Sequence, residues 1–186
     1  MSKRTAKKVL LIGWDAADWK VINPLMDNGL MPTLNEMVNG GVIANLATLD
    51  PPLSPILWTS IATGKLADKH GILGFVEPDP NNMTVRPVLS LSRKVKAIWN
   101  ILTQKGFKTH VVGWWPSHPA EPINGVMVSN FYQRAVAAYG DPWPIADGTV
   151  YPKDLEELFA DLRVHPSELT LSHLAPLFPN YKKINQ

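Results

Sequence analysis

Residues 8–14 read Lys-Val-Leu-Leu-Ile-Gly-Trp, a short apolar run with almost no alternation, closed by Asp15. A strand with one wet face alternates apolar and polar residues. An unbroken run of this length fits a strand covered on both faces, as in a parallel sheet between helices. Residues 18–26 place Trp19, Ile22, Leu25 and Met26 at helical spacing behind Asp18, a side chain suited to the N-cap. Gly29 closes that helix. A second is expected over 32–38, with Pro32 in its first turn and Gly40-Gly41 as its stop. Residues 42–49 alternate as a strand until Asp50-Pro51-Pro52 breaks it.

Further on, a helix is expected over 55–62, a loop over 64–74 and a turn cluster over 78–83 before an edge strand over 84–89. Residues 93–104 put Val95, Ile98, Trp99 and Leu102 on one helical face, with Gly106 as the stop. Two β runs follow, over 107–114 and 125–129. A helix is expected over 154–162, and a shorter one from Ser167 through Ala175. Strands alternating with helices specify an α/β fold with a mainly parallel sheet flanked by helices. Pro and Gly concentrate at 139–144, which divides the chain into an α/β part over 1–138 and a helical segment over 139–186, an insertion or cap.

Composition narrows the partners. The 186 residues suffice for a sizeable core, and 17 prolines imply many fixed turns and long surface connections. A net charge of +2 is too small for a nucleic-acid duplex as partner. Lys3, Arg4, Lys7 and Lys8 read as a solvated leader. The absence of cysteine excludes disulfides and thiolate metal ligands. No run approaches the ~18 apolar residues of a membrane span. Asp15 interrupts the first apolar run where a signal peptide would continue, so a cytoplasmic location is expected. Oligomeric state is not legible.

Two side chains carry the chemistry. Asp15, just past a buried parallel strand, lies where α/β folds hold their ligands, and its carboxylate is a hard oxygen ligand for Zn²⁺, Mn²⁺ or Mg²⁺. The competing role is capping the helix that follows, for which Asp18 is better placed. Ser54, after Pro51-Pro52 and before Pro55, is the expected N-cap of the next helix. Free backbone N–H groups and the positive end of the helix dipole beside its hydroxyl suit a phosphate. Bound to a metal, that hydroxyl becomes a nucleophile at neutral pH. Its competing role is an ordinary cap.

The histidines form no metal-binding spacing. His70 in Asp68-Lys69-His70-Gly71 reads as a structural, hydrogen-bonded side chain, His110 as a strand residue and His118 as a loop residue able to reach a site. His165 and His173 read as surface residues. Trp58, Trp99, Trp114 and Trp115 read as core and interface material. Gly64-Lys65 does not end a phosphate loop, because the preceding glycine that the GxxxxGKS or GxxxxGKT pattern requires is absent.

Several ordered segments together resemble the type I phosphodiesterase / nucleotide pyrophosphatase branch of the alkaline phosphatase superfamily. They are Val9 through Trp19, Met31-Pro32-Thr33-Leu34, Pro51 through Lys65, Lys69-His70-Gly71-Ile72, Gly113-Trp114-Trp115-Pro116 and Pro122 through Met127. The resemblance covers most of residues 8–170 and is strongest through 128. It implies an alkaline phosphatase-like fold and hydrolysis of a small phosphate ester, a phosphodiester above all. Asp15 would be a ligand and Ser54 both nucleophile and ligand of two divalent metal ions, Zn²⁺ first and Mn²⁺ second. Two positions depart from the pattern. Ala16 stands where relatives often carry Gly, and Leu57 where nucleotide pyrophosphatases carry a phosphate-binding Asn. The later Asp and His ligands of the family, including an Asp-His-Gly segment, have no counterpart here. The chain is therefore expected to be the amino-terminal part of such an enzyme, with little activity alone. The alternative is a non-catalytic α/β binding or scaffold domain derived from that fold. A sulfatase-like relative is disfavoured, because residues 54–58 lack the Cys/Ser-x-Pro-x-Arg pattern.

Overall fold

The computed structural model describes residues 8–134, 137–138, 140–170 and 172. The chain forms two compact units, residues 1–48 and 49–186.

In the first unit, α1 (Trp19–Asp27) begins where the sequence places it. The Asp18 carboxylate accepts the Lys20 N–H at 2.8 Å and satisfies one of the first-turn donors. Ile22 and Met26, one turn apart, are its buried pair. Gly29, at φ 70°, turns the chain so that its own N–H reaches Met26 O and the Leu30 N–H reaches Leu25 O. α2 (Pro32–Gly40) has Pro32 at its first position and no side-chain cap. The Trp19 indole N–H donates to Ala44 O at 3.2 Å and ties the segment after α2 to the start of α1.

The two strands expected in this unit do not form. Residues 8–14 and 42–49 carry no strand, and Val9 and Val42 are 87% and 98% exposed. The physical reason is that an apolar run expresses a preference for burial and for extended backbone. Only a hydrogen-bonded neighbour makes a strand of it.

The second unit opens with α3 (Ser54–Thr63) and α4 (Ala67–His70), the latter inside the expected loop. β1 (Val76–Asp79) and β2 (Thr84–Pro87) pair antiparallel, with Glu77 opposite Arg86 and an ion pair of 2.8 Å between them. A 3₁₀ turn at Ser90–Ser92 leads to α5 (Ile98–Gln104). This helix starts later than the apolar spacing suggests, because the Arg93 guanidinium is drawn to Val95 O and Glu121 instead of along a helix face. Asn100 closes its N-terminus by reaching back, its Oδ1 accepting the Ala97 N–H at 2.8 Å.

A small sheet follows. β3 (Val111–Val112) runs parallel to β4 (Met127–Val128), and β4 runs antiparallel to β5 (Val150–Tyr151). The β runs expected over 107–114 and 125–129 contract to these pairs, although Thr109 N–H to Asn124 O and Gly113 N–H to Val128 O extend the contact. Gly125 is required here, since a Cβ would collide with the Thr109 carbonyl. β5 lies in a stretch expected to be helical. The helix expected over 154–162 is a 3₁₀ turn (Lys153–Leu155) followed by α6 (Glu156–Ala160), and a last 3₁₀ turn spans Pro166–Glu168. Residues 171 and 173–175 of the expected final helix, His173, the basic leader before Lys8 and the polar tail lie outside the described residues.

The core of this unit is Ala62, Ala97, Trp99, Val111, Ile123 and Met127, with Trp114, Ala120 and Tyr151 packed on it. Helices and small sheets make a mixed α/β fold. Among the described residues one strand pair is parallel and two are antiparallel. No helix among them is long and apolar enough to cross a membrane.

Candidate active site

Ser54 is the first residue of α3 and is half-buried. The cap position belongs to Leu53, in extended conformation with no side-chain cap bond, so Ser54 sits one place further into the helix than its sequence suggested. Pro51-Pro52 fixes the approach, and the Leu53 N–H closes on Pro51 O at 2.8 Å. The next donors are engaged. Pro55 has no N–H, and the N–H groups of Ile56 and Leu57 both donate to Leu53 O, at 2.9 and 3.0 Å. The free amides expected around the Ser54 hydroxyl are therefore not supplied by these residues; the helix dipole remains.

α3 is firmly seated. Pro55, Ile56, Thr59 and Ala62 are its buried face. The Thr59 hydroxyl donates to Pro55 O at 2.6 Å and the Thr63 hydroxyl to Thr59 O at 2.7 Å. The Trp114 indole N–H donates to Trp58 O at 3.1 Å, with the two rings edge to face at 5.2 Å. Gly64, left-handed at φ 64°, ends the helix. A groove of about 280 Å³ lies beside it, lined by Leu49, Asp50, Pro51, Ile56, Leu66, Ala67 and Asp68. Its two acidic residues are Asp50 and Asp68, and the Asp68 carboxylate pairs with Lys69 Nζ at 3.3 Å.

Asp15 belongs to the first unit, where it is exposed and opens a turn into α1. The cap of that helix is Asp18, so capping is not the role of Asp15. Ala16, the position where relatives often carry Gly, adopts φ 55°. Left-handed backbone is the conformation that glycine accepts without a Cβ clash, which gives the sequence departure a structural meaning.

His70 is fully buried, as a hydrogen-bonded structural side chain should be. Its Nδ1 accepts the Ile72 N–H at 3.1 Å, which puts the ring proton on Nε2, 3.1 Å from Ser60 Oγ. Burial, opposed by Asp68, holds its pKa below the ordinary histidine value. His118 sits on the loop that Asn130 pins through the Ser117 and His118 N–H groups, at 2.9 and 3.0 Å. Its ring stacks on Phe131 at 4.0 Å, and its Nδ1 lies 3.2 Å from Ser129 Oγ. Burial and then Arg134 lower its pKa. His110 is exposed and accepts the Val126 N–H, at 3.2 Å. His165, expected at the surface, is 9% exposed and accepts the Ser167 N–H.

Among the described residues, no group of three or more His, Asp and Glu side chains is arranged to hold a metal ion. These residues do not by themselves fit a two-cation centre. Sequence reasoning passed over Ser60 and Glu121. A polar residue on the buried side of a helix was the available signal for the first. For the second it was an acidic residue between two prolines and an apolar run.

The type I phosphodiesterase / nucleotide pyrophosphatase family model matches residues 9–174, and the chain belongs to that family. Its members are alkaline phosphatase-like hydrolases of phosphate esters and are generally metal-dependent. No curated protein and no solved structure matches the chain.

Proposed function

We propose that this chain serves hydrolysis of a small phosphate ester, a phosphodiester above all, with Ser54 as the nucleophile. Asp15 and Ser54 would be the oxygen ligands it contributes to a divalent-metal centre, Zn²⁺ first and Mn²⁺ second. The observation that carries the reading is the family match across residues 9–174, which spans both positions. The seating of a serine at the first position of a well-packed helix supports it. The mainly parallel sheet of an alkaline phosphatase-like domain belongs to the same proposal.

The chemistry of Ser54 follows from its atom. Oγ gives up its proton to solvent and forms a bond to phosphorus. The ester P–O bond opposite breaks, and the departing alkoxide takes a proton from water. Water then attacks phosphorus in the resulting seryl phosphodiester, which keeps the second ester group, releasing the phosphate monoester and restoring the hydroxyl. One carboxylate and one hydroxyl cannot hold two cations tightly, so turnover by this chain alone is expected to be slow. Leu57, in place of the family's asparagine, argues for a substrate other than the nucleotides of the pyrophosphatases.

The test is hydrolysis of bis-p-nitrophenyl phosphate with added Zn²⁺ or Mn²⁺, comparing the native sequence with Ser54→Ala. Any metal-stimulated rate should fall to background in the variant. An undiminished rate in Ser54→Ala removes the nucleophile. A complete absence of rate in every metal, together with no p-nitrophenyl phosphoryl adduct on Ser54 after incubation with substrate, favours the non-catalytic α/β domain.

A further inference from the structure

We propose that His70 is a positioning residue for the Ser54 helix: neutral and protonated at Nε2, it clamps α4 to the middle of α3, and taking up a second proton opens the clamp. The functional meaning rests on the reading of Ser54 above, while the clamp stands on geometry alone.

His70 is 0% exposed. Its backbone is tied on both sides, the N–H to Leu66 O at 3.0 Å and the carbonyl to the Lys94 N–H at 2.9 Å. Its ring joins two segments, accepting from Ile72 N–H and reaching Ser60 Oγ on α3. The chain can turn directly after it because Gly71 is left-handed at φ 82°, and the Lys94 side chain lies across the space a Cβ would fill. Protonating Nδ1 would set a donor against the Ile72 donor. The ring cannot take that proton and keep both bonds.

The charges around it divide. Asp68, two residues back, favours the charged ring and Arg93 opposes it. Lys94 carries a further positive charge beside Gly71. The Ile56 carbonyl of α3 favours the charged ring, and α3 contributes no ionisable side chain. Burial outweighs these and holds the folded pKa low. The opened form, with an ordinary pKa of about 6.5, therefore binds the proton first. The clamp is whole above that pH and weakens as pH falls through it toward the lower folded value.

The experiment is ¹H–¹⁵N NMR of the His70 ring in the 186-residue chain, combined with amide hydrogen exchange corrected for intrinsic pH dependence. The ring should be the Nε2–H tautomer at pH 7.5. Protection of the α3 amides should fall by up to about fivefold between pH 6.5 and 5.5, the most that one proton allows for an opened-form pKa of about 6.5, while the amides of β3 and β4 hold theirs. His70→Gln should abolish that step. Ser60→Ala should speed α3 exchange about fivefold at pH 7.5, the effect of one hydrogen bond. It also keeps the test available if His70→Gln does not fold. An Nδ1–H tautomer, equal α3 protection at both pH values, or a silent Ser60→Ala overturns the clamp. None of these readouts depends on turnover, so a failed Ser54→Ala assay and a failed clamp are separate results.

Discussion

α1 and α3 are similar in length and both carry prolines, yet what backs them differs. α3 buries Pro55, Ile56, Thr59 and Ala62, and is tied from outside by the Trp114 indole and the His70 ring. α1 buries Ile22 and Met26, and the apolar residues before and after the helix pair of its unit are exposed. Helices this short are marginal in water and take their stability from packing. The two candidate residues therefore rest on different supports. Ser54 opens a helix held by tertiary contacts, and Asp15 precedes a helix opened by a turn and the Asp18 cap.

The strongest way to sharpen that contrast is to remove a tertiary support from the second unit. Glu121 is the best one. One carboxylate oxygen accepts from Arg93 at 2.6 Å and from Asn100 at 3.2 Å, and the other accepts the Trp99 indole N–H at 2.7 Å. The Arg93 and Glu121 side chains are 5% and 19% exposed. Glu121→Ala leaves the guanidinium charge buried and unpaired, a loss of about 3–5 kcal/mol for breaking such a pair. Urea unfolding followed by tryptophan fluorescence should show it, and amide exchange should rise throughout α3, α5 and β4. A loss below about 1 kcal/mol would mean that Arg93 finds water or another partner and that the network is not what holds this unit.

What the sequence showed follows the same division. Local chemistry was legible: Asp18 as a cap, Pro32 at a helix start, Gly29 as a stop, and a helix opening at Ser54 to within one residue. Those features depend on a residue and its near neighbours. The strands were legible only in part: β2, β3 and β4 fall inside expected runs but are shorter, and the runs over 8–14 and 42–49 form none, because a ladder needs a partner that composition does not name. Val9 through Trp14 has the content of a buried strand and none of its pairing, while Val150-Tyr151 is a run of only two residues before a proline and pairs with β4. The donors near Ser54 were misjudged for a related reason: which carbonyl takes the Ile56 N–H depends on how the chain enters the helix.

A smaller effect tests the local side. Asp18→Ala removes the carboxylate that accepts the Lys20 N–H and should cost about 1 kcal/mol, within the range for loss of a helix cap. It should appear as faster exchange of the first α1 amides and of Gly29, with the α3 amides unchanged. Equal acceleration in α3 would break the contrast, because it would show that the two units unfold as one.

The smallest effect carries the most information about Asp15. Ala16 holds φ 55° directly after it, a conformation that costs an L-residue roughly 1–2 kcal/mol through its Cβ. Glycine removes that term and adds about 0.5–1 kcal/mol of backbone entropy in the unfolded chain. Ala16→Gly should therefore stabilise the turn by about 0.5 kcal/mol, the difference between those terms. Slower exchange at residues 17–20, with no change in the second unit, is the expected sign. If Ala16→Gly instead destabilises the turn, the alanine methyl must make a contact worth more than the strain. The support of Asp15 would then be packing, as it is for Ser54, and not the turn itself.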